Sequence, residues 1–293
     1  MNNMSGGYKA ADEASLKSVF GEGFSTSVFH IEKDKPFGYS EADRVVVCGG
    51  DGTLNSVINL YRETTAEIFY CPYGTLNEAS KRGGKSGEPF EITDGGEASG
   101  RYFSYVLATG TFTPLGYAVE NRVKQKIKSM AYIVNVLKQL KVKRVKAELT
   151  VDGVTETGEY SLIMAIDSRQ CFGLKFNKLF KPNDGKIHLL TVKSPRFNGL
   201  FGLVEMFFPF FRAFFIGFKK PYKSKRAEFR EFKSLYVKTD APCDFCVDGE
   251  KWTMPREFNV TPAKLMPPIT VFSGKYLKKA AKIKAQHGVK KEN

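Results

Sequence analysis

The alternation of apolar and polar positions changes character near residue 90. Upstream, residues 8–20 (YKAADEASLKSVF) set Ala11, Ala14, Leu16 and Val19 at rough helical spacing, and Gly21 and Gly23 stop the predicted helix. Residues 24–31 (FSTSVFHI) predict a strand. Residues 44–48 (RVVVC) form a short continuous apolar run, as expected of a strand buried on both faces. That run ends in Gly49-Gly50-Asp51-Gly52-Thr53, after which Leu54, Val57, Ile58 and Tyr61 fall on one face of a helix. Residues 67–71 (EIFYC) predict the next strand, closed by the loop 72–77 (PYGTLN). Strands alternating with helices predict a doubly wound parallel sheet, an α/β fold.

Downstream the pattern becomes β-like. Residues 91–100 are rich in Gly and acids and read as a boundary loop, and 102–109 (YFSYVLAT) as one strand. The clearest helix covers 123–140, where Val123, Ile127, Met130, Val134 and Leu137 recur at steps of four and three. Short strands are predicted over 146–151, 160–166, 186–193, 234–238, 244–247 and 257–260, giving a second, mostly antiparallel β domain. Residues 199–218 hold eight Phe, interrupted by Glu205, Pro209 and Arg212, which share one helical stripe. The basic stretch KKPYKSKR follows directly. An interfacial amphipathic helix and a core helix under the β domain both fit this pattern.

Charge changes this picture more than composition does. The 293 residues carry a net +14, and 42% are apolar, an ordinary folded mix. Windows 122–146, 219–226 and 275–291 hold nine, five and seven basic residues and no acids, so the remainder of the chain stands at −7. A mildly acidic body with basic segments suggests an anionic surface as partner, either a membrane leaflet or nucleic acid. No nucleic-acid-binding motif accompanies the charge, so nucleic acid is not expected. Five scattered cysteines make no disulfide framework and fit a reducing compartment. No basic–apolar–cleavage signal opens the chain, so no export is expected. Cys243-x-x-Cys246 lacks a second ligand pair, and His30, His188 and His287 are isolated, so a zinc site is not expected.

The glycine-rich turn is the strongest chemical signal. Gly49, Gly50 and Gly52 let the backbone approach an anion closely where a strand hands over to a helix N-terminus, and the helix dipole favours phosphate there. It is neither a Walker A loop nor a GxGxxG motif. The 74–77 loop should lie beside it, at the carboxyl edge of the sheet where open α/β folds bind ligands.

GGDGTLNSV followed by PYGTLNEAS resembles the diacylglycerol kinase catalytic-domain family, which includes bacterial soluble lipid kinases and sphingosine kinases. Further matches fall in order over essentially the whole chain. They are residues 3–7 (NMSGG), 108–117 (ATGTFTPLGY) with 126–132, 179–189 (LFKPNDGKIHL), and Val247-Asp248-Gly249-Glu250. The resemblance implies a nucleotide-binding α/β domain over 1–90, with about 265–280 packing back on it. A β-rich lipid-substrate domain over 91–264 and a basic tail over 281–293 complete it. It implies ATP held by Gly49, Gly50, Asp51, Gly52, Thr53, Thr75 and Asn3. It implies a structural Mg²⁺ on Asp184 and the carbonyl oxygens of Lys181 and Lys186, although Asp184-Gly185 alone reads as a hairpin turn. Glu250 is implied as the base, with Asp51 as the rival.

The expected activity is ATP-dependent phosphorylation of a diacylglycerol-like hydroxyl in a cleft between the domains. It would be peripheral on the cytoplasmic face of an anionic membrane, and a homodimer is admitted. Phe207, Phe208, Phe211, Phe214 and Phe215, with the 219–226 cluster, are the expected lipid-facing residues. Two other functions stand beside it: NAD-kinase-like phosphorylation of a soluble acceptor, because GGDGT is shared, and a non-catalytic nucleotide- or lipid-binding relative. Departures from the family pattern favour the last. Only Met1 and Asn2 precede Asn3, so the opening strand is missing on this reading. Met4 replaces Pro, Ser56 replaces Glu, and Glu78 replaces Asp.

Overall fold

Apolar runs and alternating strands form where the sequence pattern requires them, with informative exceptions. The computed structural model describes residues 1–5, 13–32, 38–83, 87–111, 143–277 and 279–280. The helix expected over 123–140, the 126–132 match, the tail over 281–293 and residues 8–12 of the first expected helix lie outside these. The chain divides into two units, Met1–Thr93 with Leu265–Asn293, and Asp94–Lys264.

In the first unit, β1 (Arg44–Gly49) and β2 (Glu67–Pro72) pair in parallel, with Cys48 opposite Cys71 and Gly49 opposite Pro72. The last residues of β14 (Glu257–Val271) add a third parallel strand, Ile269 opposite Ile68 and Val271 opposite Tyr70. Strand residues alternate between faces. Val46, Cys48, Phe69 and Cys71 share a core with Leu16 and Phe20 of α1 (Glu13–Phe20). The other face receives α2 (Asp51–Leu60), which buries Leu54, Val57 and Ile58. Each such side chain contributes about 1.5–3 kcal/mol relative to exposure. Tyr61, the fourth residue of the predicted stripe, is buried just beyond the helix end. Helices on both faces of a parallel sheet make this an α/β layer structure.

Residues 24–31 are a correction. They form no ladder; only Ile31 bridges, in parallel, to Asn2. A strand persists only with a neighbour to share its amides. Here the neighbour is the stretch Met1 to Asn3: Ile31 N–H donates to Met1 O, and Asn3 N–H to Ile31 O. Phe24 and Phe29 stay exposed.

The second unit is antiparallel. Its described strands are β3 (Phe90–Ala98), β4 (Arg101–Phe103), β5 (Val106–Gly110), β6 (Val145–Val151), β7 (Val154–Ile166), β8 (Ile187–Lys193), β9 (Tyr222–Lys223), β10 (Ala227–Phe232), β11 (Leu235–Thr239), β12 (Cys243–Val247) and β13 (Glu250–Met254). The first half of β7 pairs with β6; its second half carries β5 on one side and β8 on the other. β12 pairs with β5 and β13, and β14 begins beside β11. One apolar core runs through Phe103, Leu149, Ile163, Leu189, Phe232, Val247 and Phe258. A helix, α3 (Gly199–Phe211), continues as a π-helical turn over Arg212–Ile216.

Two expectations fail here. The expected loop over 91–100 is strand through Ala98 and turns only at residues 99–100: Ile92, Asp94, Gly96 and Ala98 alternate inward, and the Phe103 ring opposite fills the space a side chain on Gly96 would need. Residues 102–109 are two strands, because the chain breaks at Ser104 and Tyr105.

Candidate active site

The glycine-rich turn joins β1 to α2 without a side-chain cap. Gly50 is the N-cap, with extended dihedrals, and Leu54 N–H donates the first helical bond, to Gly50 O at 3.1 Å. The amides of Asp51, Gly52 and Thr53 therefore have no partner inside the helix and sit at its positive end. The second loop folds onto this turn. Tyr73 and Gly74 N–H both donate to Gly49 O, at 2.8 and 2.9 Å. The backbones touch so closely that a Cβ on Gly74 would lie 2.4 Å from Gly50 Cα. Asn77 Nδ2 donates to Pro72 O and Gly74 O, which curls the loop, and Thr75 sits half-buried within it.

Asp51 ties the two loops together. It is 8% exposed, and Oδ2 and Oδ1 accept the N–H groups of Glu78 and Ala79 at 2.9 and 3.0 Å. Gly49, Gly50, Asp51, Gly52, Thr53 and Thr75 are thus brought to one edge of the sheet. Asn3 arrives through its neighbour. Asn2 N–H donates to Cys48 O, and Asn2 Nδ2 to Thr53 Oγ1 at 2.7 Å. Asn3 Oδ1 lies 3.1 Å from His30 Nδ1. Asn2 is a site residue that sequence reasoning missed; nothing but its place beside Asn3 marks it.

In the second unit, Asp248-Gly249 is a two-residue hairpin turn between β12 and β13, with φ of 49° and 92°. That pair of left-handed residues is the type I′ turn that Asp-Gly favours. The Asp248 side chain is fully buried. Its oxygens accept Ser104 N–H at 2.5 Å and the N–H groups of Tyr105 and Val106, both at 3.0 Å. This carboxylate is the reason β4 and β5 separate: three amides that could serve a ladder serve Asp248 instead. Glu250 follows on β13, with its side chain exposed. Trp252, two residues on, carries Arg101 over its ring at 3.7 Å.

Lys181, Asp184 and Lys186 lie on one exposed loop whose Asn183 and Gly185 are left-handed. Asp184 Oδ1 accepts Lys186 N–H at 3.1 Å, and buried Asp94 accepts Gly185 N–H at 2.8 Å. Upstream, buried Asn177 accepts the N–H groups of Leu179 and Phe180, which anchors the entry to the loop. Lys186 Nζ is held by Glu231 at 3.0 Å, a hydrogen bond that raises its pKa. Among the described residues no cluster of three His, Cys, Asp or Glu could hold a metal. A cation on this loop would depend on one half-exposed carboxylate, main-chain carbonyls and water. Such an all-oxygen set fits a hard ion such as Mg²⁺ and is unsuited to zinc. Asp94 was hidden in sequence by its Gly- and acid-rich surroundings. Cys243 and Cys246 lie three apart on β12, hence on opposite faces, and make no ligand pair.

Residues 3–95 match the family model described as the diacylglycerol kinase catalytic domain. The diacylglycerol kinase of Bacillus subtilis (strain 168) is 27% identical over 175 residues, 53% of this chain and 56% of that protein. The diacylglycerol kinase of Staphylococcus epidermidis (strain RP62A) is 28% identical over 196 residues, 59% of this chain and 61% of that protein. These alignments span little more than half the length of either relative. A crystal structure of a diacylglycerol kinase from Bacillus anthracis str. Sterne has a TM-score of 0.60 at 18% identity, covering 92% of this chain and 94% of that one. At that identity the likeness is one of fold.

Proposed function

Because the chain belongs to the diacylglycerol kinase catalytic-domain family through residues 3–95, we propose that it is an ATP-dependent lipid kinase. The acceptor is the hydroxyl of diacylglycerol or a related lipid at the cytoplasmic face of a membrane. The observation that carries this reading is the N-terminus of α2, which has no side-chain cap, with two glycine loops bonded beside it. Phosphoryl transfer asks a protein mainly for positioning and charge stabilisation. The amides of Asp51, Gly52 and Thr53 supply both for phosphate oxygens, with the Thr53 and Thr75 hydroxyls beside them and Asn3 at the edge. Asp184 and the carbonyls of Lys181 and Lys186 would hold a structural Mg²⁺, which would stabilise their loop.

Glu250 is taken as the base, with Asp51 as the rival. Both Asp51 oxygens hold main-chain amides, and Asp248 is committed in the same way. Glu250 lies exposed at the start of β13, directly after the turn that Asp248 fixes. Transfer of labelled phosphate from ATP to diacylglycerol vesicles tests the reading. Glu250→Gln should lower turnover by about 10²–10⁴-fold, the usual share of a general base, while ATP binding survives. Retained turnover would move the base to Asp51. Transfer to NAD and to no lipid would reassign the acceptor.

A further inference from the structure

The Phe-rich helix divides its side chains between two faces. Met206, Phe210 and Ala213 are buried, and Ser161 Oγ donates to Met206 Sδ at 3.6 Å. Phe214 turns inward too, 5.0 Å from the Phe176 ring, which removes it from the expected lipid-facing set. The opposite stripe, Phe201, Val204, Phe208 and Phe215, recurs at helical steps and stays exposed; Phe201 is 77% and Phe208 68% accessible. Ile216 extends it at 50%. Among the described residues nothing covers this stripe.

The charges within the helix are drawn off the stripe. Glu205 pairs with Arg226 and accepts Arg196 N–H at 2.6 Å. Arg212 lies over the rings of Phe218 and Tyr222, at 4.9 and 4.7 Å, and donates to Gly217 O. Lys178 Nζ donates to Ile216 O at 2.7 Å, so a carbonyl at the end of the helical segment is satisfied by the protein rather than by water. Immediately beyond come the exposed side chains of Lys219, Lys220 and Lys225, and Lys223, whose Nζ lies 3.5 Å from Glu228.

We infer that this face is a docking surface for an anionic lipid leaflet. The helix would lie in the interface plane with Phe201, Val204, Phe208, Phe215 and Ile216 among acyl chains and the lysines on headgroup phosphates. The stripe is one helical face wide, and no described helix is long and apolar enough to cross a membrane. Apolar burial flanked by cations is the pattern of a helix that lies on a bilayer. A protein groove would not need so dense a cationic flank. The surface stands on its own geometry; only the statement that this leaflet carries the acceptor rests on the lipid-kinase reading.

Sedimentation of the full chain with phosphatidylglycerol or phosphatidylcholine vesicles, at low and high salt, tests it. Binding should favour the anionic vesicles and weaken with salt. Phe201→Ser with Phe208→Ser should lower affinity by at least about tenfold, as loss of two inserted rings predicts. Lys219→Glu with Lys220→Glu should lower it by about fivefold or more per lysine, on anionic vesicles only. Unchanged thermal melts would show that both variants fold. Equal binding to both lipids, or variants that bind like wild type, would overturn the inference. Turnover on short-chain diacylglycerol in neutral detergent micelles separates the two readings. Variants that lose vesicle binding but keep that turnover support the surface. A wild type that binds anionic vesicles without turning over any lipid sinks the kinase reading and leaves the surface standing.

Discussion

Asp248 answers three main-chain amides with one carboxylate, and that fixes what its replacement should do. Asp248→Asn keeps the shape but removes the charge and turns an N–H toward donors. Hydrogen bonds to a charged group contribute more than neutral ones, so the variant should lose about 2–3 kcal/mol of stability in chemical denaturation. Tyr160 is the opposite case. It is fully buried, and its hydroxyl finds no acceptor among the described residues. Burial raises its pKa well above the ordinary value of about 10. The unfolded chain therefore releases this proton first as pH rises, and folded stability falls above about pH 10. Tyr160→Phe should remove that part of the alkaline loss and leave stability at pH 7 unchanged or higher, as paired melts at pH 7 and 10.5 would show. Asp51 and Asp248 are each legible in sequence as motif members. What they bond is not, because Glu78, Ala79 and Ser104 to Val106 offer main-chain amides, which leave no trace in residue identity.

The elements were legible where one pattern dominated. The strand before Gly49, the helix stripe of Leu54, Val57, Ile58 and Tyr61, and the antiparallel run after residue 143 are written in periodicity alone. Periodicity failed where a partner decides. Residues 24–31 look like a strand but meet only Met1 to Asn3. Residues 90–98 look like a loop because the glycine that seats Phe103 is indistinguishable, in sequence, from a glycine that turns. The loop pair at the site follows the same logic. Gly74 is needed for close backbone approach, not for a left-handed turn. Gly74→Ala should push the second loop off Gly50, lower ATP affinity at least about tenfold by calorimetry, and cost stability through overpacking of about 1–3 kcal/mol. Retained ATP affinity would show that the two loops are not one phosphate site.

Across the whole molecule, placement of charge says more than its sum. Of the three basic windows, only 219–226 is described throughout, and it follows the exposed Phe stripe directly. The parallel sheet of the first unit carries a consequence for how the chain is made. β2 lies between β1 and the end of β14, so its second edge has no strand until Ile269 to Val271 exist. During synthesis the glycine loops would emerge early on a two-stranded remnant, an arrangement that is marginal alone. The first unit, though it opens the sequence, would be the last to close. A chain truncated at residue 264 should expose the edge of β2, aggregate, and bind no ATP, whereas residues 94–264 hold the described antiparallel strands among themselves.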